Sequence, residues 1–125
     1  MNRIINLTQH PATPEQLEAG VFDLKGTELA WLKNLLNFDA PPSEFDLAND
    51  AISIAAIADR TGEKTAMIGG APFLMAPLES KLIEFGLAPV YAFSRRESVE
   101  TVQDDGSVRK TTVFNHIGFV PACQI

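Results

Sequence analysis

Ile4-Ile5-Asn6-Leu7-Thr8-Gln9-His10-Pro11-Ala12-Thr13-Pro14-Glu15-Gln16-Leu17 is the stretch from which the fold is read. Ile4, Ile5 and Leu7 make an apolar run long enough for one buried strand. The run stops where Thr8-Gln9-His10-Pro11 brings hydrogen-bonding groups and a proline that a helix does not accept. Thr13 then sits at an N-cap position, with Pro14 first in the helix and Gln16 three residues on, a capping box of the Thr-x-x-Gln form. A strand, a polar elbow and a helix start form a unit that α/β proteins use to hold ligands at the carboxyl edge of a sheet.

Working outward, residues 14–19 make a short helix closed by Gly20, and Val21, Phe22 and Leu24 offer a brief extended segment. Thr27 is placed to cap a helix over 28–38, with Leu29, Leu32 and Leu36 on one face and Trp31, Leu35 and Phe38 beside it. At that spacing Trp31 reads as core rather than as a stacking platform. Asp39-Ala40-Pro41-Pro42 breaks the pattern, and Ser43 with Asp46 starts a helix that runs to about Arg60. Its apolar residues surround much of the circumference, so it should be covered on more than one side, by the sheet and a neighbouring helix or by a second subunit.

Lys64 to Ile68 reads as the next strand, ended by Gly69-Gly70-Ala71-Pro72, and Phe73 to Glu84 as a helix divided near Pro77. Val90 to Phe93 gives a third strand, expected to end in the polar loop Ser94-Arg95-Arg96-Glu97-Ser98. Asp105-Gly106 signals a hairpin between Val99–Val102 and Ser107–Phe114, and Val113 to Pro121 reads as a last strand whose His116 could lie on either face. Strand–helix alternation implies parallel strands with right-handed crossovers. The expectation is one α/β domain over 1–125: three layers, Rossmann-like, with a mainly parallel sheet and a C-terminal antiparallel hairpin.

Composition narrows the partners. Sixteen acidic against ten basic residues give a net charge of −6, which disfavours long nucleic acid, since phosphate contacts dominate that affinity. A small anionic ligand held by a few local groups stays compatible with it. The single cysteine, Cys123, cannot form an internal disulfide, and the N-terminus lacks a signal pattern; both point to the reducing cytoplasm. No apolar run reaches the eighteen or so residues of a membrane span. There is no Cys/His spacing for zinc, no Gly-x-Ser-x-Gly elbow and no Gly-Lys-Ser/Thr phosphate loop, so neither a metal nor a cofactor is expected.

If the strands beginning at Ile4, Lys64 and Val90 run parallel, three loops share one edge of the sheet. Thr8, Gln9 and His10 would bring hydroxyl, amide and imidazole, and Gly69 and Gly70 main-chain N–H groups. Ser94, Arg95, Arg96 and Ser98 would bring hydroxyls and guanidinium forks. Together they suit a nucleotide or its phosphate, because arginine grips phosphate through two parallel bonds and glycine amides complete a cradle. Taken singly, each has a plain structural reading: His10 as the close of a strand, the glycines as a tight turn, and the arginines as partners of Glu97 and Glu100 on a solvated surface.

Asn6 to Gln16, together with Gly69-Gly70-Ala71-Pro72, Leu78 and the strand opening Pro89-Val90, resembles small CRISPR-associated Rossmann-like proteins related to the ring nucleases. The likeness covers the first twenty or so residues and the segment 65–97 and leaves the middle helices and hairpin unmatched. It implies an antiviral-defence homodimer that binds a cyclic oligoadenylate across its two-fold axis through Thr8, Gln9, His10, Gly69, Gly70 and Ser94. Ring cleavage in such proteins needs no metal; the ribose 2′-hydroxyl is positioned for attack while a cation steadies the phosphate. His10, Arg95 or Arg96 would fit those roles. A non-enzymatic nucleotide sensor, or a structural interaction module paired through residues 43–60, are the competing readings.

Overall fold

The computed structural model describes residues 3–122. Its strands are β1 (Ile4–Asn6), β2 (Val21–Asp23), β3 (Thr65–Met67), β4 (Ala88–Val102) and β5 (Val108–Pro121). The helices are α1 (Pro14–Glu18), α2 (Gly26–Leu36), α3 (Glu44–Asp59) and α4 (Pro72–Glu84). The five strands form one sheet in the order β2-β1-β3-β4-β5, parallel except for the antiparallel β4–β5 pair.

In this order β1 leads to β2 on one side, while β3 leads to β4 on the other, so the direction of winding reverses between β1 and β3. Right-handed crossovers then require α1 to lie on the opposite face from α2, α3 and α4. The packing agrees with that division. Ile5, Leu7, Ala66 and Ile68 face a core that includes Leu32 and Leu36 of α2, Ile54 and Ile57 of α3, and Leu74, Leu78 and Leu82 of α4. The opposite face carries Ile4, Val21, Met67 and Val90, against which Ala12 and Phe119 pack among the described residues. The three layers are therefore unequal: α1 is five residues long and buries none of them.

The local grammar works at both capping boxes. Thr13 accepts from the Gln16 N–H while the Thr13 N–H donates to the Gln16 side chain, and Ser43 and Asp46 repeat the exchange. Elsewhere the elements differ from the sequence expectation. The second helix begins at Gly26, with Lys25 at its N-cap and no side-chain cap, so Thr27 lies inside it. Trp31 points outward and is 41% exposed, because Leu32 and Leu36 already fill the face that meets the core. α4 continues through Pro77 without division.

The largest departure is in β4. Ser94 to Ser98 is not a loop; the strand runs through it, and β5 is a single strand that includes both C-terminal segments expected separately. β3 pairs with β4 only from Ala88 to Val90, so the hairpin leaves the sheet and continues as a two-stranded ribbon. A register shift at Phe93/Ser94 marks the departure, in keeping with the bend a bulge introduces. Neither face of the ribbon is covered, so its residues lack the alternating apolar pattern by which a half-buried strand is recognised. At the tip, Gly106 adopts φ +85°, the Gly106 N–H donates to the Gln103 carbonyl at 2.9 Å, and the Ser107 N–H donates to Asp105 Oδ1 at 2.9 Å. Cys123 lies outside the described residues. Among the described residues no helix is long and apolar enough to cross a membrane.

The core depends most on side chains shared by two helices and the sheet. Leu78→Ala, at a fully buried position of α4, should cost about 2–5 kcal/mol. The exposed-cap change Ser43→Ala should cost about 1 kcal/mol. Urea unfolding of both variants checks the order; equal losses would contradict the placement of Leu78.

Candidate functional site

The carboxyl ends of β1, β3 and β4 lie side by side, since Asn6 is level with Met67, and Met67 with Val90. Above them opens a crevice of about 430 Å³. One wall is the segment after β1, with Thr8, Gln9, His10, Pro11 and the capping pair Thr13 and Gln16. The other is formed by Met67, Ile68, Gly69 and Gly70 at the end of β3 and by Tyr91 and Ala92 of β4. It stands at the β1/β3 reversal, where diverging connections leave a gap that no helix crosses.

The shape of the first wall is set by Asn6, a polar side chain only 4% exposed. Its Oδ1 accepts from the Thr8 N–H at 2.9 Å and from the Thr8 hydroxyl at 2.7 Å, an Asx-type turn that bends the chain as it leaves the strand. Its Nδ2 donates to the His10 carbonyl at 2.8 Å and to Asp23 Oδ1 at 2.7 Å. Asp23, level with Asn6 at the end of β2, also accepts from the Ala12 N–H at 3.0 Å. Two side chains at matching strand ends thus fix the main chain from Thr8 to Ala12. Gln9 adds an outer tie, donating through Nε2 to the Leu36 carbonyl at the end of α2 at 3.0 Å. The imidazole of His10 remains at the exposed rim.

The second wall is built for close approach of a main chain. Gly70 has φ +142°, a backbone state that side-chain-bearing residues rarely adopt. A Cβ placed on Gly69 would come to 3.5 Å from the Thr8 methyl, so the two walls are within ordinary contact at that point. α4 begins directly afterwards, and its N-cap Ala71 offers no side-chain acceptor to the first-turn N–H groups. The floor is apolar where Met67 and Ile68 are buried. Tyr91 anchors the far side through its hydroxyl, which donates to Glu79 of α4. Burial, then the hydrogen bond and charge of Glu79, push the Tyr91 phenol well above its ordinary range.

Thr8, Gln9, His10, Gly69 and Gly70 therefore converge as the sequence suggested. Ser94, Arg95, Arg96 and Ser98 do not line the crevice; they stand on the ribbon beyond it, where Arg96 lies over the Phe114 ring with its guanidinium carbon 5.5 Å from the ring centre. Their place at the edge is taken by Tyr91 and Ala92. Asn6 and Asp23 join the site as well, outside the residues the sequence pattern singles out. Each is a polar residue closing a short apolar strand, and that signal was present at both positions. Among the described residues the crevice lining contains no carboxylate, although the chain carries a net charge of −6. Among the described residues no group of three or more His, Cys, Asp or Glu side chains is arranged to hold a metal ion.

Comparison with known proteins gives one match. The family model described as the uncharacterized protein MJ1673 family matches residues 2–120. No curated protein and no solved structure matches the chain.

Two measurements check this geometry. Asn6→Ala strands the buried partners of the carboxamide and should lower unfolding stability by about 2–3 kcal/mol, while increasing proteolysis between Thr8 and Ala12. Tyr91 is the only tyrosine, so tyrosinate absorbance follows it alone. Its folded pKa is raised, so its contribution to stability is complete below the unfolded value of about 10 and is lost as the pH rises through the folded one. Stability should decline above that value, and Tyr91→Phe should remove the decline.

Proposed function

The chain belongs to the uncharacterized protein MJ1673 family, and we propose that its crevice between the ends of β1 and β3 binds a small phosphate-bearing ligand of the nucleotide class. The observation that carries this reading is the position of the crevice at the reversal of strand order, where open α/β sheets hold such ligands. That argument is an analogy of architecture; the lining makes it specific. Gly69 and Gly70 leave room for a phosphate beside the start of α4, a 13-residue helix whose first N–H groups favour negative charge. Thr8, Gln16 and His10 offer polar contacts for a sugar, and Pro11, Met67 and the Tyr91 ring provide an apolar surface for a base.

A cyclic oligoadenylate is the member of this class named by the resemblance of Asn6–Gln16 to the ring-nuclease relatives. Binding has the fuller support. For cleavage, the lining among the described residues supplies His10 as its one imidazole and no arginine, so turnover would rest on positioning the 2′-hydroxyl, with His10 as proton carrier.

Calorimetric titration with mono-, di- and cyclic oligonucleotides tests the proposal, with chromatography of the recovered ligand to detect cleavage. Ala92 is exposed at the rim, so charge can be placed there without disturbing the core. Ala92→Glu should weaken binding about tenfold or more, near 1.4 kcal/mol, and Ala92→Lys should strengthen it. His10→Ala should reduce affinity and abolish any cleavage. Absence of binding by every nucleotide, or equal effects of the two Ala92 substitutions, would refute the reading.

A further inference from the structure

The β4–β5 ribbon has two properties that a free hairpin in water does not sustain together. From Ser94/His116 to Val102/Val108 it extends nine residue pairs beyond the bulge, about 30 Å, and its principal packing partner along that length is its own other strand. Two-stranded hairpins alone are marginal in water. Yet eight of the fourteen exposed large apolar side chains among the described residues belong to β4 and β5: Phe93, Val99, Val102, Val108, Val113, Phe114, Ile117 and Val120.

The face of the ribbon that carries its three most exposed apolar residues is self-complementary. Cross-strand partners share a face, as do alternate residues along a strand. One face therefore presents Arg96/Phe114, Ser98/Thr112, Glu100/Lys110 and Val102/Val108 in succession from root to tip. Phe114 is 63% exposed near the root; Val102 and Val108 are 73% and 56% exposed at the tip. Charge follows the same polarity on this face: Arg96 is at the root, Glu100 and Lys110 pair with each other midway, and Asp104 and Asp105 are in the turn.

We propose that this face is a dimerisation surface whose occupant is the same face of a second copy of the chain, the two ribbons lying antiparallel about a two-fold axis. Turned end for end, the Phe114 patch of each copy meets the Val102/Val108 patch of the other, and each arginine root meets an aspartate tip. The central pairs Ser98/Thr112 and Glu100/Lys110 are brought opposite one another, where the Lys110–Glu100 ion pair of 3.6 Å is already in place. A two-fold contact requires this self-matching of one patch. On this face Phe114, Val102 and Val108 leave on the order of 350 Å² in water per copy, below the about 800 Å² per partner of a standard interface, so the expected dimer is a weak, concentration-dependent one. The surface is distinct from the crevice and does not depend on what the crevice binds.

Sedimentation equilibrium over a hundredfold concentration range tests the proposal, with circular dichroism and melting to verify that each variant is folded. The wild-type chain should be a dimer, and Phe114→Glu should raise the dissociation constant at least tenfold without altering the melt of the monomer. Arg96→Glu and Asp104→Arg should each weaken the dimer, and the double variant should recover most of the loss. Ile52→Lys, on the exposed side of α3, should leave the dimer intact. A wild-type chain that stays monomeric, a dimer broken by Ile52→Lys but not by the ribbon substitutions, or charge variants that fail to rescue each other would overturn it.

Discussion

The carboxamide of Asn6 is the interaction on which the architecture of the crevice depends. It is buried at the end of the central parallel strand pair, with only 4% of the residue exposed. A buried amide left unpaired costs about 1–3 kcal/mol per group, so the chain around it is obliged to supply partners. It does so in the one arrangement that bends Thr8 back over the strand and brings the His10 carbonyl inward. Asp23 completes the set from the neighbouring strand and extends it to the Ala12 amide. The result is a rigid wall made from loop residues, held by side chains that lie beneath it.

Rigidity on one side gives the opposite wall its meaning. Gly69 and Gly70 carry no side chains to fill the gap, and Thr8 meets Gly69 at contact distance of a missing Cβ. The crevice is thus open because glycine keeps it so and stable because Asn6 keeps its other side from collapsing inward. Tyr91 provides the third fixed point, held by Glu79 on α4. The three strand ends are each tied by a different chemistry, which makes the site's shape a consequence of strand order rather than of any one loop. Reversal of winding between β1 and β3 is what separates the helices enough for the gap to exist.

What the sequence disclosed and what it concealed follow from burial. Ile5, Leu7, Ala66 and Ile68 are buried on the helical side of the sheet, and the strands that carry them were legible as apolar runs. Thr13 and Ser43 were legible because a capping box is a local contract between residues three apart. The ribbon was not, because Ser94 to Ser98 pairs with His116 to Thr112, about twenty residues away at the near end, and no side is buried enough to impose a period. Polarity there marked exposure, and exposure was read as a loop. Asn6 was hidden for the opposite reason: one polar residue in an apolar run is easily passed over, although a polar group in that setting must find partners.

The position of the bulge joins these two halves of the molecule. Phe93/Ser94 is where β4 leaves the sheet, and Tyr91 and Ala92, immediately before it, line the crevice. Any force on the ribbon is therefore delivered to a strand whose root forms part of the far wall. The ribbon is continuous with that wall through backbone hydrogen bonds on the β5 side, with Tyr91 paired to Val120 and Ala92 to Phe119. On the inner side the ladder has already ended at Val90, leaving the main chain of the wall residues paired on one side only, with the Tyr91 side chain tied to Glu79. A contact that orders the ribbon would remove freedom from this wall before a ligand arrives, and a ligand that orders the wall would do the same for the ribbon. If the proposed ligand and the proposed ribbon contact both form, any coupling between them is reciprocal by thermodynamic necessity, and its path is a single strand a few residues long.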